Sequence, residues 1–123
     1  MIKFNNKSIP YGKQKIDKID ASFVKSSTLS KLITTGPSVI KFEKNITKYL
    51  KSKYSFTCSS GTAAIHLAFL SIGLKKGDNI IMPAVNFIAA YNLAKIMGAN
   101  IFRADVDPVT GQMTPKNLTN CIK

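Results

Sequence analysis

At 123 residues, with 45% apolar and 20% charged content, the chain has the size and composition of one globular domain and excludes a disordered tail or a two-domain protein. Its formal charge of +12 comes from seventeen lysines and one arginine, Arg103, and twelve of the lysines fall within the first 53 residues along helical faces, so a solvated basic surface is expected and not a nucleic-acid site, which favours arginine's planar fork. Cys58 and Cys121 are too few and too separated for a disulfide framework, with His66 they make no metal set, and no apolar run spans a bilayer, so a soluble cytoplasmic protein without metal or membrane partner is expected.

The first twelve residues read as extended, with Ile9-Pro10-Tyr11-Gly12 as a turn or arm. Ile16, Ile19, Phe23 and Val24 recur at helical spacing and predict a helix over 13–27. A loop follows and ends in Thr34-Thr35-Gly36-Pro37. Val39, Phe42, Ile46, Tyr49 and Leu50 then form the apolar stripe of a second helix, with Lys41, Lys44, Lys48 and Lys51 on its wet face. Both stripes read most simply as core packing. From Tyr54 strands alternate with helices. Residues 54–58 predict a strand. Residues 61–72 predict a helix that is apolar nearly all round, hence buried, with His66 in the interior. Residues 79–82 predict a short strand stopped by Pro83. Residues 87–97 predict a helix ended by Gly98, and residues 100–106 a strand. Asp107-Pro108-Val109-Thr110-Gly111 is a turn. Thr114 caps a last helix with Pro115 at its first position. The organisation is α/β with parallel strands.

Three places could carry chemistry. Ser59-Ser60-Gly61-Thr62-Ala63-Ala64 joins a strand to an apolar helix. Such a junction offers unpaired amides and the positive end of a helix dipole, and a phosphate fits there. Gly61 lets backbone approach a ligand, and Thr62 adds a hydroxyl. The bland account is an ordinary serine N-cap. Ile80-Ile81-Met82-Pro83-Ala84-Val85-Asn86-Phe87 ends at the carboxyl end of a strand, where open α/β sheets place ligands. Phe87 there either faces an aromatic ring or is the first core residue of its helix. Asp105-Val106-Asp107 invites a metal or acid–base reading, but alternate strand residues and a following turn favour a turn or capping role. Ser60 and His66 are too weak a pair for a hydrolase.

Taken in order, several segments resemble one family. They are Ile9-Pro10-Tyr11-Gly12-Lys13-Gln14, Thr34-Thr35-Gly36-Pro37 with Phe42-Glu43, Ser59 through Ala68, Gly77-Asp78, Asn86-Phe87-Ile88-Ala89-Ala90 and Asp105-Val106-Asp107-Pro108. The chain resembles the amino-terminal part of the DegT/DnrJ/EryC1/StrS family of pyridoxal-phosphate-dependent sugar aminotransferases. Its Ile-Pro-Tyr-Gly-Lys-Gln opening is most similar to the branch that aminates a UDP-linked 4-keto-6-deoxy-N-acetylhexosamine, the UDP-4-amino-4,6-dideoxy-N-acetyl-altrosamine transaminases of nonulosonic acid synthesis.

The resemblance implies part of the large domain of the fold-type I transferases, with an incomplete, mostly parallel sheet. Residues 1–36 become an N-terminal arm and helix, and residues 37–123 the first part of a truncated cofactor-binding domain. Gly61, Thr62 and Ala63 match the segment that holds the cofactor phosphate, and Phe87 the aromatic that stacks on the pyridine ring. Thr35, Gly36, Pro37 and Asn86 match substrate-facing positions, although the family often has Thr where this chain has Asn86. The Schiff-base lysine and the carboxylate that pairs with the pyridine nitrogen lie beyond the position of Lys123, so the chain alone is expected to be inactive. The complete protein is expected to pass an amino group from an amino-acid donor, glutamate, to the keto sugar, as a homodimer. The resemblance also implies that the strand at 54–58 lies far from the next two, so that this chain's strands are not neighbours, although a simple βαβ reading pairs them. Exposed apolar edges and poor solubility follow for the chain by itself. The alternative from the residues alone is a small basic α/β domain that binds a phosphorylated ligand or nucleic acid without catalysis.

Overall fold

The computed structural model describes residues 12–122 and the backbone of two short strands, β1 (Ile2–Phe4) and β2 (Lys7–Ile9). These strands pair antiparallel, with Ile2 opposite Ile9 and Phe4 opposite Lys7. The extended start is therefore a hairpin; Pro10 and Tyr11 of the predicted turn lie outside the described residues. The chain divides into two compact units, Met1–Phe56 and Thr57–Lys123.

In the first unit, helix α1 (Lys18–Thr28) begins later than its apolar stripe suggests. Asp17 sets the start. Its Oδ1 accepts from the Ile19 amide at 2.8 Å and the Asp20 amide at 3.1 Å, while Asp20 Oδ2 accepts from the Asp17 amide at 3.0 Å. This reciprocal box satisfies amides that have no acceptor inside the helix. Ile16 stays outside the helix. Helix α2 (Pro37–Leu50) takes in Pro37, the residue read as the end of the loop, as its first position, with the extended Gly36 as cap. Gly36 is buried, and a Cβ there would overlap the Leu32 carbonyl oxygen. Lys51 ends α2 in the left-handed region at φ 52°. Neither helix buries a residue. Ile19, Phe23, Phe42 and Leu50 are all exposed, so the stripes predicted as core are open surface here.

The second unit contains α3 (Gly61–Ser71), β3 (Asn79–Pro83), α4 (Ala89–Ile96), β4 (Asn100–Ala104) and α5 (Pro115–Ile122). Strands β3 and β4 pair in parallel, from Asn79 opposite Asn100 to Pro83 opposite Ala104. The expectation of strands that are not neighbours is corrected for this pair: the α4 crossover returns the chain beside β3, as a simple βαβ unit does. Residues 54–58 are assigned to no strand. A strand is defined by a ladder with a second strand, and this segment joins neither of the two sheets among the described residues.

The core of this unit is Met82, Ala89, Leu93, Ala94 and Ala104. Helices α4 and α5 both pack on β4, and α3 packs on α4. Three of the five core residues are alanines, whose burial yields little against a conformational entropy cost of about 1–2 kcal/mol per ordered residue. Helix α3, predicted as buried, buries nothing: Leu67 and Leu70 are about half exposed and His66 is exposed. Against its all-round apolar surface packs α4.

Connections follow local chemistry. Gly98 ends α4 at φ 78°, and a Cβ there would come within 3.0 Å of the Lys76 side chain. Strand β4 ends at Ala104, two residues earlier than predicted. Asp107 takes the turn role: its Oδ1 accepts from the Val109 amide at 3.0 Å, the Thr110 amide at 2.8 Å and the Thr110 hydroxyl at 3.0 Å. These bonds, Thr110's foremost, hold its carboxyl below the usual aspartate range. Thr114 and Asn117 cap α5 reciprocally, with Thr114 N donating to Asn117 Oδ1 at 3.0 Å and Asn117 N to Thr114 Oγ1 at 3.3 Å. Among the described residues no helix is long and apolar enough to cross a membrane.

Candidate functional site

Two features of the second unit could hold a ligand. The first is the start of α3. Ser60 is extended, at φ −164° and ψ 163°, and its hydroxyl accepts from the Ala63 amide at 3.1 Å. The Ala64 amide begins the helical ladder on Ser60 O at 3.0 Å. The Gly61 and Thr62 amides have no acceptor among the described residues. Both residues are exposed, and nothing lies within 4 Å of where a Gly61 Cβ would stand. The helix runs eleven residues with no acidic side chain in its first turn. An anion placed there meets two free amides, one hydroxyl and the positive end of a dipole, so a phosphate fits. Ala63 offers its amide only if Ser60 releases it.

The second feature is a cavity of about 290 Å³ beyond the carboxyl end of β3. Met82, Pro83, Asn86, Phe87, Tyr91 and Arg103 are among the residues lining it. Phe87 precedes α4 and is 72% exposed. It is therefore not the first core residue of a helix; its ring is available to a partner. Asn86 holds it from behind, with Oδ1 accepting from the Phe87 amide at 2.8 Å. The Ala84 amide makes one more bond to the partner strand, on Ala104 O at 2.8 Å, and the chain then leaves the ladder for the loop that carries Asn86 and Phe87.

The structure brings Asn86 and Phe87 together in this cavity. Gly61, Thr62 and Ala63 stand apart from its lining, at the head of α3. Thr35, Gly36 and Pro37 belong to the first unit, at the start of α2. Among the described residues no lysine lines the cavity. Sequence reasoning missed Tyr91 and Arg103. Tyr91 lies two residues beyond Ala89 on α4, and Arg103 is the ladder partner of Met82 on β4. Only knowledge of the β3–β4 register would have brought Arg103 to this place.

Known proteins resemble this chain in sequence and in fold. The chain is 32% identical over 103 residues to a UDP-4-amino-4-deoxy-L-arabinose–oxoglutarate aminotransferase of Shewanella sediminis (strain HAW-EB3), covering 84% of this chain and 26% of that protein. It superposes on an aminotransferase of Psychrobacter cryohalolentis with a TM-score of 0.80 at 27% identity, over 93% of this chain and 30% of the other. It also superposes on the E. coli GDP-4-keto-6-deoxy-D-mannose-3-dehydratase with bound hydrated PLP, with a TM-score of 0.84 at 28% identity, over 94% and 31% of the two chains. The chain thus spans between 26% and 31% of the length of these relatives. Its fold is that of the fold-type I PLP enzymes, and the sequence signature of one family matches residues 14–123. The chain belongs to the DegT/DnrJ/EryC1/StrS aminotransferase family.

Proposed function

We propose that the chain is the amino-terminal portion of a PLP-dependent aminotransferase that moves an amino group from glutamate to a UDP-linked 4-keto-6-deoxy sugar, in a pathway to nonulosonic acids. The observation that carries the reading is the pair of free amides at Gly61 and Thr62, in the same unit as the exposed ring of Phe87. In this reading Gly61, Thr62 and Ala63 hold the cofactor phosphate, with the Thr62 hydroxyl as a further donor. Phe87 lies against the pyridine ring, and Asn86 fixes its backbone. Thr35, Gly36, Pro37 and Asn86 face the sugar nucleotide. When bound, PLP supplies an electron sink for the carbon that loses or gains nitrogen.

Residues 1–36 form the arm and first helix of that enzyme, and residues 37–123 open its cofactor domain, in a cytoplasmic homodimer. The exposed apolar surface of α3, with Leu67, Leu70 and Ile72 open, supports a larger body packed around it. Amino transfer is preferred to the dehydration named for the E. coli relative, because the matching family is one of aminotransferases.

The test is a reaction of the complete protein with glutamate and a UDP-linked 4-keto-6-deoxy-N-acetylhexosamine, read by mass spectrometry. Transfer of nitrogen from labelled glutamate to the sugar is the expected result. A protein that copurifies without PLP, or that removes a hydroxyl from the sugar without adding nitrogen, overturns it.

A further inference from the structure

We propose that Arg103 is the oxyanion-binding residue of the Phe87 cavity, which takes a carboxylate or phosphate carried on a substrate. Arg103 is the one arginine among eighteen basic residues. Its position opposite Met82 in the parallel ladder brings it to the cavity wall. Among the described residues no Asp, Glu or Lys shares that wall. Its guanidinium makes no hydrogen bond or ion pair among the described residues. The nearest carboxylate in sequence, Asp105, accepts from the Val106 amide at 2.8 Å through Oδ1; it lines a separate hollow beside α5, which Arg103 also borders, and makes no ion pair with the guanidinium among the described residues.

The rest of the wall points the same way. Asn86 Oδ1 accepts from the Phe87 amide, and no bond engages its NH₂ among the described residues, so that group can donate to a ligand. Phe87 and Tyr91 supply apolar ring surface beside the charge. A planar fork with five donors, next to a second amide donor and two rings, matches an oxyanion attached to an organic body. A lysine would serve a bare charge as well; the fork serves two oxygens at once. Two substrates of a sugar-nucleotide aminotransferase carry oxyanions: the amino donor has carboxylates and the sugar nucleotide has phosphates. That the oxyanion belongs to a substrate rests on the function proposed above; the oxyanion site itself does not.

The test uses the complete protein, with Arg103→Gln and Arg103→Lys beside the wild type. Calorimetric titration with succinate and with inorganic phosphate separates the two sources. Cofactor content and melting temperature are recorded for each variant. R103Q is expected to weaken one of the two ligands by roughly tenfold or more, because a charge-assisted pair of bonds is lost. R103K is expected to recover part of that loss. Cofactor content should not move. A fall confined to succinate assigns the carboxylate, with a matching rise in KM for glutamate. A fall confined to phosphate assigns the nucleotide, with a rise in KM for the sugar. Unchanged affinity for both ligands in R103Q overturns the proposal. If R103Q lowers the melting temperature, R103M, which keeps the aliphatic stem without the charge, is decisive in its place, and unchanged affinities there overturn it equally. A protein that never holds PLP refutes the function proposed above, while the titrations still decide Arg103.

Discussion

Replacing Phe87 by alanine should separate affinity from stability. The ring is 72% exposed and lies outside α4, so the protein loses little packing and its unfolding free energy should stay within about 0.5 kcal/mol of wild type. A buried phenylalanine would behave otherwise, with truncation costing about 3–5 kcal/mol. Ring-on-ring contact contributes about 0.5–1.5 kcal/mol beyond area burial. The Kd for PLP should therefore rise about two- to twelve-fold in F87A, and F87Y, which keeps the ring face, should stay near wild type. The assay is a PLP titration of the cofactor-stripped complete protein, paired with denaturant unfolding of the same samples. A large drop in stability would show that Phe87 is a core residue. An unchanged Kd would show that no ring lies against it. Either result refutes the reasoning.

Three further outcomes are expected. Gly36→Ala should destabilise the protein by about 1–3 kcal/mol, because the new methyl group meets the Leu32 carbonyl, which cannot swing aside as a side chain would; a wild-type denaturation midpoint would contradict this. Ser60→Ala should cost about 1 kcal/mol through the lost cap. Ser60→Asp should keep the cap yet sharply weaken PLP binding, since a carboxylate then stands where the phosphate is placed; equal PLP affinity in S60D and wild type would remove the phosphate from the head of α3. The turn at Asp107 should be at full strength above the ordinary aspartate pKa of about 3.9 and fade as pH falls through its lower folded value. Amide exchange at Val109 and Thr110 reports this, and Asp107→Asn, which keeps an acceptor oxygen but does not titrate, should flatten the acid response. An acid response identical in D107N would assign it to another group.

Local chemistry made much of this chain legible in advance. Pro115 marks a helix start correctly because a proline at the first helical position gives up an amide that has no acceptor anyway, and Pro37, read as the end of a loop, does the same for α2. Gly98 ends its helix because a left-handed residue is needed there. The start of α1 was also written in the sequence, as aspartates three apart at Asp17 and Asp20, but the apolar stripe outvoted them. What failed was everything that depends on a second surface. Residues 54–58 have strand composition and no ladder, because pairing belongs to two segments and not to one. Helix α3 has a core composition and an exposed surface, because burial depends on what lies opposite. Phe87 became readable as an open ring only once α4 was seen to begin after it. Arg103 was invisible as a cavity residue, because nothing in residues 100–104 tells which neighbour the strand will take.

The start of the parallel pair bears on the far end of it. The Asn100 amide donates to Asp78 O at 2.8 Å, and its side-chain NH₂ reaches Gly77 O at 3.1 Å and Asn79 Oδ1 at 3.0 Å. The Gly77 amide returns a bond to Gly98 O at 3.0 Å. These bonds pin the two strands against sliding. Side chains alternate in direction along a strand, so a slip of one residue would send the guanidinium to the opposite side of the ribbon. An amide side chain remote from any ligand thus decides which flank of the sheet carries positive charge, and lineages that alter it must find another way to keep the alignment.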